Sequence, residues 1–309
     1  MILLKLDEQL KIKPFIKWAG GKGQLIPIIS NNLPAELKEN KIKKYIEPFI
    51  GGGAVLFYLL QNYNFEQVII NDVNKDLINL YRIIKNEVTE LITELKKMSD
   101  EYMSLDSECR KDYYYTIRDK YNEDSLDKLK KSAYFIFLNK TCFNGLYRVN
   151  KKGKFNVPHG KYKNPLILDQ NNLLNVSKNL QKVQILNGDF EAIENYVDEN
   201  TFVYFDPPYK PLNATSSFTS YQKDDFNDDE QRRLADFYHK LNNIGAKLML
   251  SNSDPKNIDE NDNFFELLYN SCDIKGSEKI SINRVEATRS INSKGNGRGK
   301  INELLILNY

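Results

Sequence analysis

At 309 residues the chain is long enough for one large core, or for a core domain carrying a second lobe. Its 44 basic and 42 acidic side chains leave a net charge of only +2, which excludes bulk positive charge as the basis of any nucleic-acid surface. Such a surface has to come from local arrangement. The 3 cysteines, Cys109, Cys142 and Cys272, lack C-x-x-C spacing and point to reduced intracellular thiols rather than a disulfide frame.

The N-terminus mixes Leu and Ile with Lys5, Asp7, Glu8 and Lys11, so it has no clean apolar export signal. The longest uncharged stretch, Pro48 to Phe65, is interrupted by Gly51 to Gly53, Gln61, Asn62 and Asn64, which argues against a membrane span. A soluble cytoplasmic protein is expected. The first marked segment runs from Phe15 to Gly23 and contains Lys17, Trp18 and Lys22. A P-loop would need glycine at Ile16 and Ser or Thr at Gly23, so phosphate cradling is not supported. Trp18 either packs over a ligand while Lys22 meets a carboxylate or carbonyl, or is a core ring beside a solvated lysine.

Tyr45 to Gly53 followed by Ala54 to Leu60 predicts strand, glycine turn, helix. Leu56 occupies the third glycine position of the dinucleotide fingerprint, which favours a ligand without pyrophosphate. A second strand at 68–70 leads to Asn71 and Asp72, about twenty residues beyond the glycines, where such folds place an acidic side chain on ribose hydroxyls. From Asp76 the period becomes helical: Leu77, Leu80, Tyr81 and Ile84, then Leu91, Ile92, Leu95 and Met98. A mostly helical lobe over 76–179 is expected between the two parts of an α/β domain, 1–75 and 180–309.

Inside that lobe Asn139 to Lys154 interleaves aromatic, amide and basic side chains. Such a segment can read base edges and meet phosphates, with a ring available to replace an extruded base; a solvated basic turn is the alternative. Phe155 to Tyr162, with Pro158 and Lys161, continues the surface. Strands are then predicted at 183–186, 201–205 and 246–250, and two more over 284–308, joined by a basic linker from Ser293 to Lys300 that is read as a plain hairpin loop, with a phosphate-touching loop as the alternative.

The 201–205 strand is apolar after Thr201 and runs into Asp206-Pro207-Pro208-Tyr209. Ligands of open α/β sheets bind just outside such strand ends. A carboxylate, a proline carbonyl and a stackable ring side by side suit a planar amine: Asp206 and the Pro207 carbonyl accept its two hydrogens while Tyr209 stacks. A bare Asp-Pro turn is the alternative.

With these blocks in order, the chain resembles the Dam family of DNA adenine N6-methyltransferases, the D12 class, and especially the GATC-modifying enzymes of restriction systems. The blocks are Phe15 to Lys22, Tyr45 to Gly53, Asn71-Asp72 and Asp206 to Tyr209, in the order of the α group, over nearly the whole chain. The resemblance implies a Rossmann-like α/β methyltransferase sheet with an inserted target-recognition lobe. It implies S-adenosylmethionine as cofactor, with Trp18, Lys22, Gly51, Gly53, Asp72 and Asp206 around it, and Asp206, Pro207 and Tyr209 at the reacting amine. Lys17, Phe143, Asn144, Leu146, Arg148, Pro158 and Lys161 fall on DNA-contact positions, Phe143 where the family often has an intercalating tyrosine. Double-stranded DNA is the implied partner, met by a monomer that either protects DNA beside a cognate restriction endonuclease acting on the same site without direct contact or acts as an orphan methylase. In-line transfer to a flipped base needs neither a covalent enzyme intermediate nor a metal. No cysteine follows a proline, against cytosine C5 methylation, and neither His159 nor His239 begins a zinc-deaminase pattern. Cytosine N4 methylation and a non-enzymatic DNA-binding module stay open.

Overall fold

The computed structural model describes residues 12–210, 226–269, 280–288 and 300–309. The described strands are β1 (Lys44–Glu47), β2 (Gln67–Ile70), β3 (Val183–Ile185), β4 (Thr201–Phe205), β5 (Lys247–Ser253), β6 (Ser281–Thr288) and β7 (Lys300–Leu307). They form one seven-stranded sheet in the order β3-β2-β1-β4-β5-β7-β6. β1 to β5 are parallel and β7 runs antiparallel between β5 and β6. Every residue of β4 is buried, as a parallel strand covered on both faces requires, which is why its sequence is continuously apolar instead of alternating.

The chain moves outward from β1 through β2 to β3, then returns to lay β4 on the other side of β1. The crevice where direction reverses, beyond the ends of β1 and β4, is where open α/β sheets bind ligands. The ends of those two strands are the Glu47 to Gly53 turn and Asp206.

Ten helices are described: α1 (Ile26–Asn31), α2 (Ala35–Lys38), α3 (Ala54–Asn62), α4 (Lys75–Asn86), α5 (Val88–Ser104), α6 (Ser107–Tyr121), α7 (Lys128–Thr141), α8 (Gln170–Leu180), α9 (Asp228–Ile244) and α10 (Phe264–Tyr269). Side chains alternate along each strand, so the sheet has two faces. Val203, Phe205, Leu248 and Leu250 pack with Leu234, Phe237, Tyr238 and Leu241 of α9. Tyr45, Phe202, Tyr204 and Met249 face the other way, into a core continuous with α3 to α8. Leu77, Leu80, Tyr81, Ile84, Leu91, Ile92, Leu95 and Met98 are all buried there, as their period indicated.

Helix α7 is the hub of this layer, packing against α4, α5 and α6. From Phe135 to Asn139 every residue of it is buried, the pattern of a helix covered on all sides. Asp127 caps its start through the Lys130 N–H at 3.0 Å. Its last residue, Thr141, delivers the chain into the irregular stretch up to α8.

β5 extends beyond the Ser251-Asn252 end expected from sequence. Those polar residues are satisfied inside the fold: the Tyr204 hydroxyl lies 2.8 Å from Ser251 Oγ, and Asn252 donates to Gln231 Oε1 at 3.0 Å. β7 also pairs along the extension, Ser253 opposite Glu303. Cys109 and Cys142 are free thiols. Cys272, the N-terminal export-signal region and the linker residues Ser293 to Gly299 lie outside the described residues. Among the described residues no helix is long and apolar enough to cross a membrane.

Candidate active site

Asp206 is the first residue beyond β4, and its carboxylate meets Lys22 Nζ at 2.6 Å. The same ammonium donates to the Gly20 carbonyl at 2.6 Å and lies 4.5 Å from the centroid of the Tyr209 ring. Lys22 is only 4% exposed, so three partners compensate its desolvation. Of the two sequence readings for this lysine, the one that has it meeting a carboxylate or a carbonyl describes both contacts. Burial, with a smaller contribution from the nearby Glu303 carboxylate, raises the Asp206 pKa to about 6 against the lowering effect of Lys22. Behind it Glu47, at the end of β1, is buried and accepts from the Tyr45 hydroxyl at 2.7 Å. Burial pushes the Glu47 pKa well above its ordinary value, against the lowering effect of the Tyr45 hydrogen bond.

The Asp206 to Tyr209 turn is fixed from outside. Gln231 of α9 donates to the Pro208 carbonyl at 3.1 Å, and the Lys210 N–H donates to Asn252 Oδ1 at 3.1 Å. Ser253 Oγ donates to the Lys210 carbonyl at 2.7 Å, and the Tyr209 hydroxyl to Glu303 Oε2 at 2.7 Å. The Pro207 carbonyl, by contrast, has no hydrogen-bond partner among the described residues.

The glycine turn after β1 lies against Trp18. Gly51 has φ +46°, and a Cβ there would sit 2.9 Å from Trp18 Cδ1, so both backbone and space demand glycine. Gly53 is the N-cap of α3. Asp72, buried beyond β2, accepts from the Gly51 N–H at 3.2 Å and the Asn74 N–H at 2.9 Å. Burial outweighs these bonds and lifts its pKa to about 6. Neighbouring Asn71 donates to the Pro48 and Gly188 carbonyls, while its buried Oδ1 has no partner among the described residues. Trp18 stacks on Tyr147 with ring centroids 5.3 Å apart.

That stack joins this site to the turn after α7. Phe143 is 51% exposed; its N–H donates to the Pro158 carbonyl at 2.8 Å. Asn144 is exposed with φ +56°, and Leu146 is half-buried. Gly145 has φ +64°, and a Cβ there would meet Lys17 Cδ at 2.3 Å. The Lys17 ammonium lies 5.1 Å from the centre of the Tyr162 ring. Asn139, 1% exposed, accepts from the Lys17 N–H at 2.8 Å and donates to the Lys17 carbonyl at 2.8 Å and the Gly145 carbonyl at 3.0 Å. Arg148 is exposed and oriented by Asn156, Nε to Oδ1 at 2.8 Å. Lys151 and Lys161 are exposed as well.

The fold therefore gathers Trp18, Lys22, Gly51, Asp72, Asp206 and Tyr209 around one crevice, and Lys17, Phe143, Asn144, Leu146 and Pro158 around one turn. Arg148 and Lys161 flank that turn in sequence. Sequence reasoning missed Glu47, Asn139, Tyr147, Gln231, Asn252 and Glu303. Tyr147 and Asn139 carried a signal, since both sit in the aromatic and amide segment already singled out, and Glu47 lies inside the Tyr45 to Gly53 block; Gln231, Asn252 and Glu303 stand at ordinary positions.

Comparison with known proteins agrees with this geometry. Residues 18–291 match the family model of the D12 class N6 adenine-specific DNA methyltransferases. A Type II methyltransferase of Methanocaldococcus jannaschii, M.MjaIII, is 60% identical over 97% of this chain and 100% of its own. M1.LlaDCHI, a Type II methyltransferase of Lactococcus lactis, is 38% identical over 97% of each chain. The DNA adenine methylase of Escherichia coli is 32% identical over 96% of this chain and 95% of its own. Membership implies a methyl donor of the S-adenosylmethionine type and DNA as substrate. With the family's match extending over both the crevice and the turn, the chain belongs to the D12 class of N6 adenine-specific DNA methyltransferases.

Proposed function

We propose that this enzyme uses S-adenosylmethionine to methylate N6 of adenine within GATC in double-stranded DNA, after rotating the base out of the helix. The observation that carries the reading is the 2.6 Å Lys22–Asp206 pair at the switch point, beside the end of β1 whose glycine turn meets Asp72 through the Gly51 N–H. Bound S-adenosylmethionine supplies a methyl group on a sulfonium whose charge is lost on transfer. The residues present fit that group: each Asp72 oxygen accepts one backbone N–H and keeps lone pairs for ribose hydroxyls, Asn71 Oδ1 is an unused buried acceptor, and Trp18 offers a flat wall.

Asp206 and the Pro207 carbonyl, which has no partner among the described residues, hold the two hydrogens of the adenine amino group and so direct the nitrogen lone pair, while Tyr209 stacks on the base. Lys22 keeps Asp206 in place and ionised. Positioning of this kind accounts for much of the barrier lowering in transfers between held partners. Extruding an adenine costs a few kcal/mol of unstacking. The exposed Phe143 ring is suited to fill the gap, Arg148 to read a guanine edge, and Asn144, Leu146, Pro158 and Lys161 of the 76–179 lobe, with Lys17 beside them, to complete the DNA surface.

GATC is its own complement, so a monomer can methylate each strand in a separate encounter and the site does not demand a dimer. Relatives named as Type II methyltransferases support a role beside a cytoplasmic restriction endonuclease that cuts the same site without touching this protein. Base-resolution mapping of methylation on DNA exposed to the purified protein tests the reading. Methyl groups on adenine in GATC alone are expected; methylation in another sequence, or on cytosine N4, would overturn it.

A further inference from the structure

The antiparallel placement of β7 brings its N-terminal end to the site end of the sheet. Glu303 pairs in register with Ser253, the last residue of β5, and with Val285 of β6. Glu303 shares a sheet face with Leu305 and Leu307, which pack on the same face as Tyr204. By the same alternation that face carries Asp206 beyond β4 and Glu47 at the end of β1. Its apolar rows thus finish in carboxylates at the crevice. Glu303 is the one of these that contacts Tyr209, at 2.7 Å.

We propose that Glu303 is a positioning residue of the methyl-transfer site, fixing the Tyr209 ring through its hydroxyl and so fixing the wall against which Lys22 and the target base rest. The inference rests on the adenine-methylating reading above. Tyr209 has a ring to stack on the base and a hydroxyl that a stacking surface alone does not need; the Glu303 bond gives that hydroxyl its purpose. A freely rotating ring would open one of the three sides that hold the Lys22 ammonium, and Asp206 would lose its fixed partner. Among the described residues, the charged or titratable groups that act on Asp206 or respond to its charge are Lys22, Glu47, Glu303, Tyr45, Tyr204 and Tyr209. Glu303 adds negative charge and Lys22 opposes it, so Glu303 also sets where Asp206 ionises.

The test measures methyl transfer to GATC duplex at saturating S-adenosylmethionine across pH, for wild type, Glu303→Gln, Glu303→Ala, Tyr209→Phe and the Glu303→Ala/Tyr209→Phe double variant. Glu303→Gln keeps an acceptor for the hydroxyl but removes the charge, so the acid limb of the profile should move to lower pH. Glu303→Ala should lower kcat by about tenfold or more while the cofactor Kd changes by less than about threefold, as expected for an interaction that orients the reacting groups. The double variant should be no slower than the slower single, because both remove one bond. An unmoved acid limb in Glu303→Gln, or additive losses in the double variant, would overturn the proposal; Glu303→Gln and Tyr209→Phe keep it testable if Glu303→Ala does not fold. Wild-type protein that methylates no adenine would instead sink the parent reading, so the two failures are distinguishable.

Discussion

Replacing Asn139 by alanine should reach both halves of the enzyme although its side chain lies inside the core. The amide makes three hydrogen bonds, two to the Lys17 backbone and one to the Gly145 carbonyl. Each is worth about 1 kcal/mol net, and an orphaned buried acceptor such as the Gly145 carbonyl costs about 1–3 kcal/mol, so a loss of about 4–6 kcal/mol is expected. Urea unfolding should show a lower midpoint at unchanged slope. Asn139→Asp should be at least as damaging, because a carboxylate would face two carbonyl oxygens. In the folded fraction, affinities for cofactor and for DNA should fall together, since the same amide holds the segment bearing Trp18 and the turn bearing Phe143. A loss below about 1 kcal/mol would mean that water replaces the amide. A folded Asn139→Ala protein with wild-type affinity for both ligands would refute the idea that one clamp places both segments.

If Asp206 holds the amino hydrogens, kcat/KM should rise with pH through about 6, because the ionised carboxylate is the stronger acceptor; residual transfer by Asp206→Asn should lack that limb. Stability runs the other way: a carboxylate raised from 3.8 to about 6 contributes stability that is full below its unfolded value and lost as pH rises through 6. The melting temperature of wild type relative to Asp206→Asn should therefore climb on acidification from neutrality, and a fall would reverse the assignment. Asp72→Ala should weaken S-adenosylmethionine binding by about 1–3 kcal/mol in calorimetry while DNA affinity without cofactor barely moves. Arg148→Ala should cost about 1–3 kcal/mol on GATC and relax discrimination at one base pair, whereas Lys151→Ala should weaken all sequences alike and flatten the salt dependence. Equal losses at all four positions for Arg148→Ala, in duplexes substituted one pair at a time, would put that arginine on the backbone.

The strand cores and the four functional blocks were legible in the sequence because local chemistry writes them. A continuously apolar run such as 202–205 must be buried, two prolines must end it, and glycines beside a lone tryptophan mark a close backbone approach, realised at Gly51. Helical period likewise identified the buried faces of α4 and α5. What the sequence left open was everything set by the order of strands and by approach in space. That Lys22 meets Asp206, 184 positions away, depends on β4 lying beside β1. That Asn139 ties Lys17 to Gly145 depends on where α7 ends. The strand predicted to stop at Ser251-Asn252 continues because those side chains find partners on β4 and α9 and because β7 pairs beside them. Glu303 reads in the sequence as an ordinary acidic residue at the head of a strand. Only the antiparallel return of β7 carries it to Tyr209, because reversing a strand is what brings its first residues, rather than its last, to the end of the sheet where the parallel strands deliver the site.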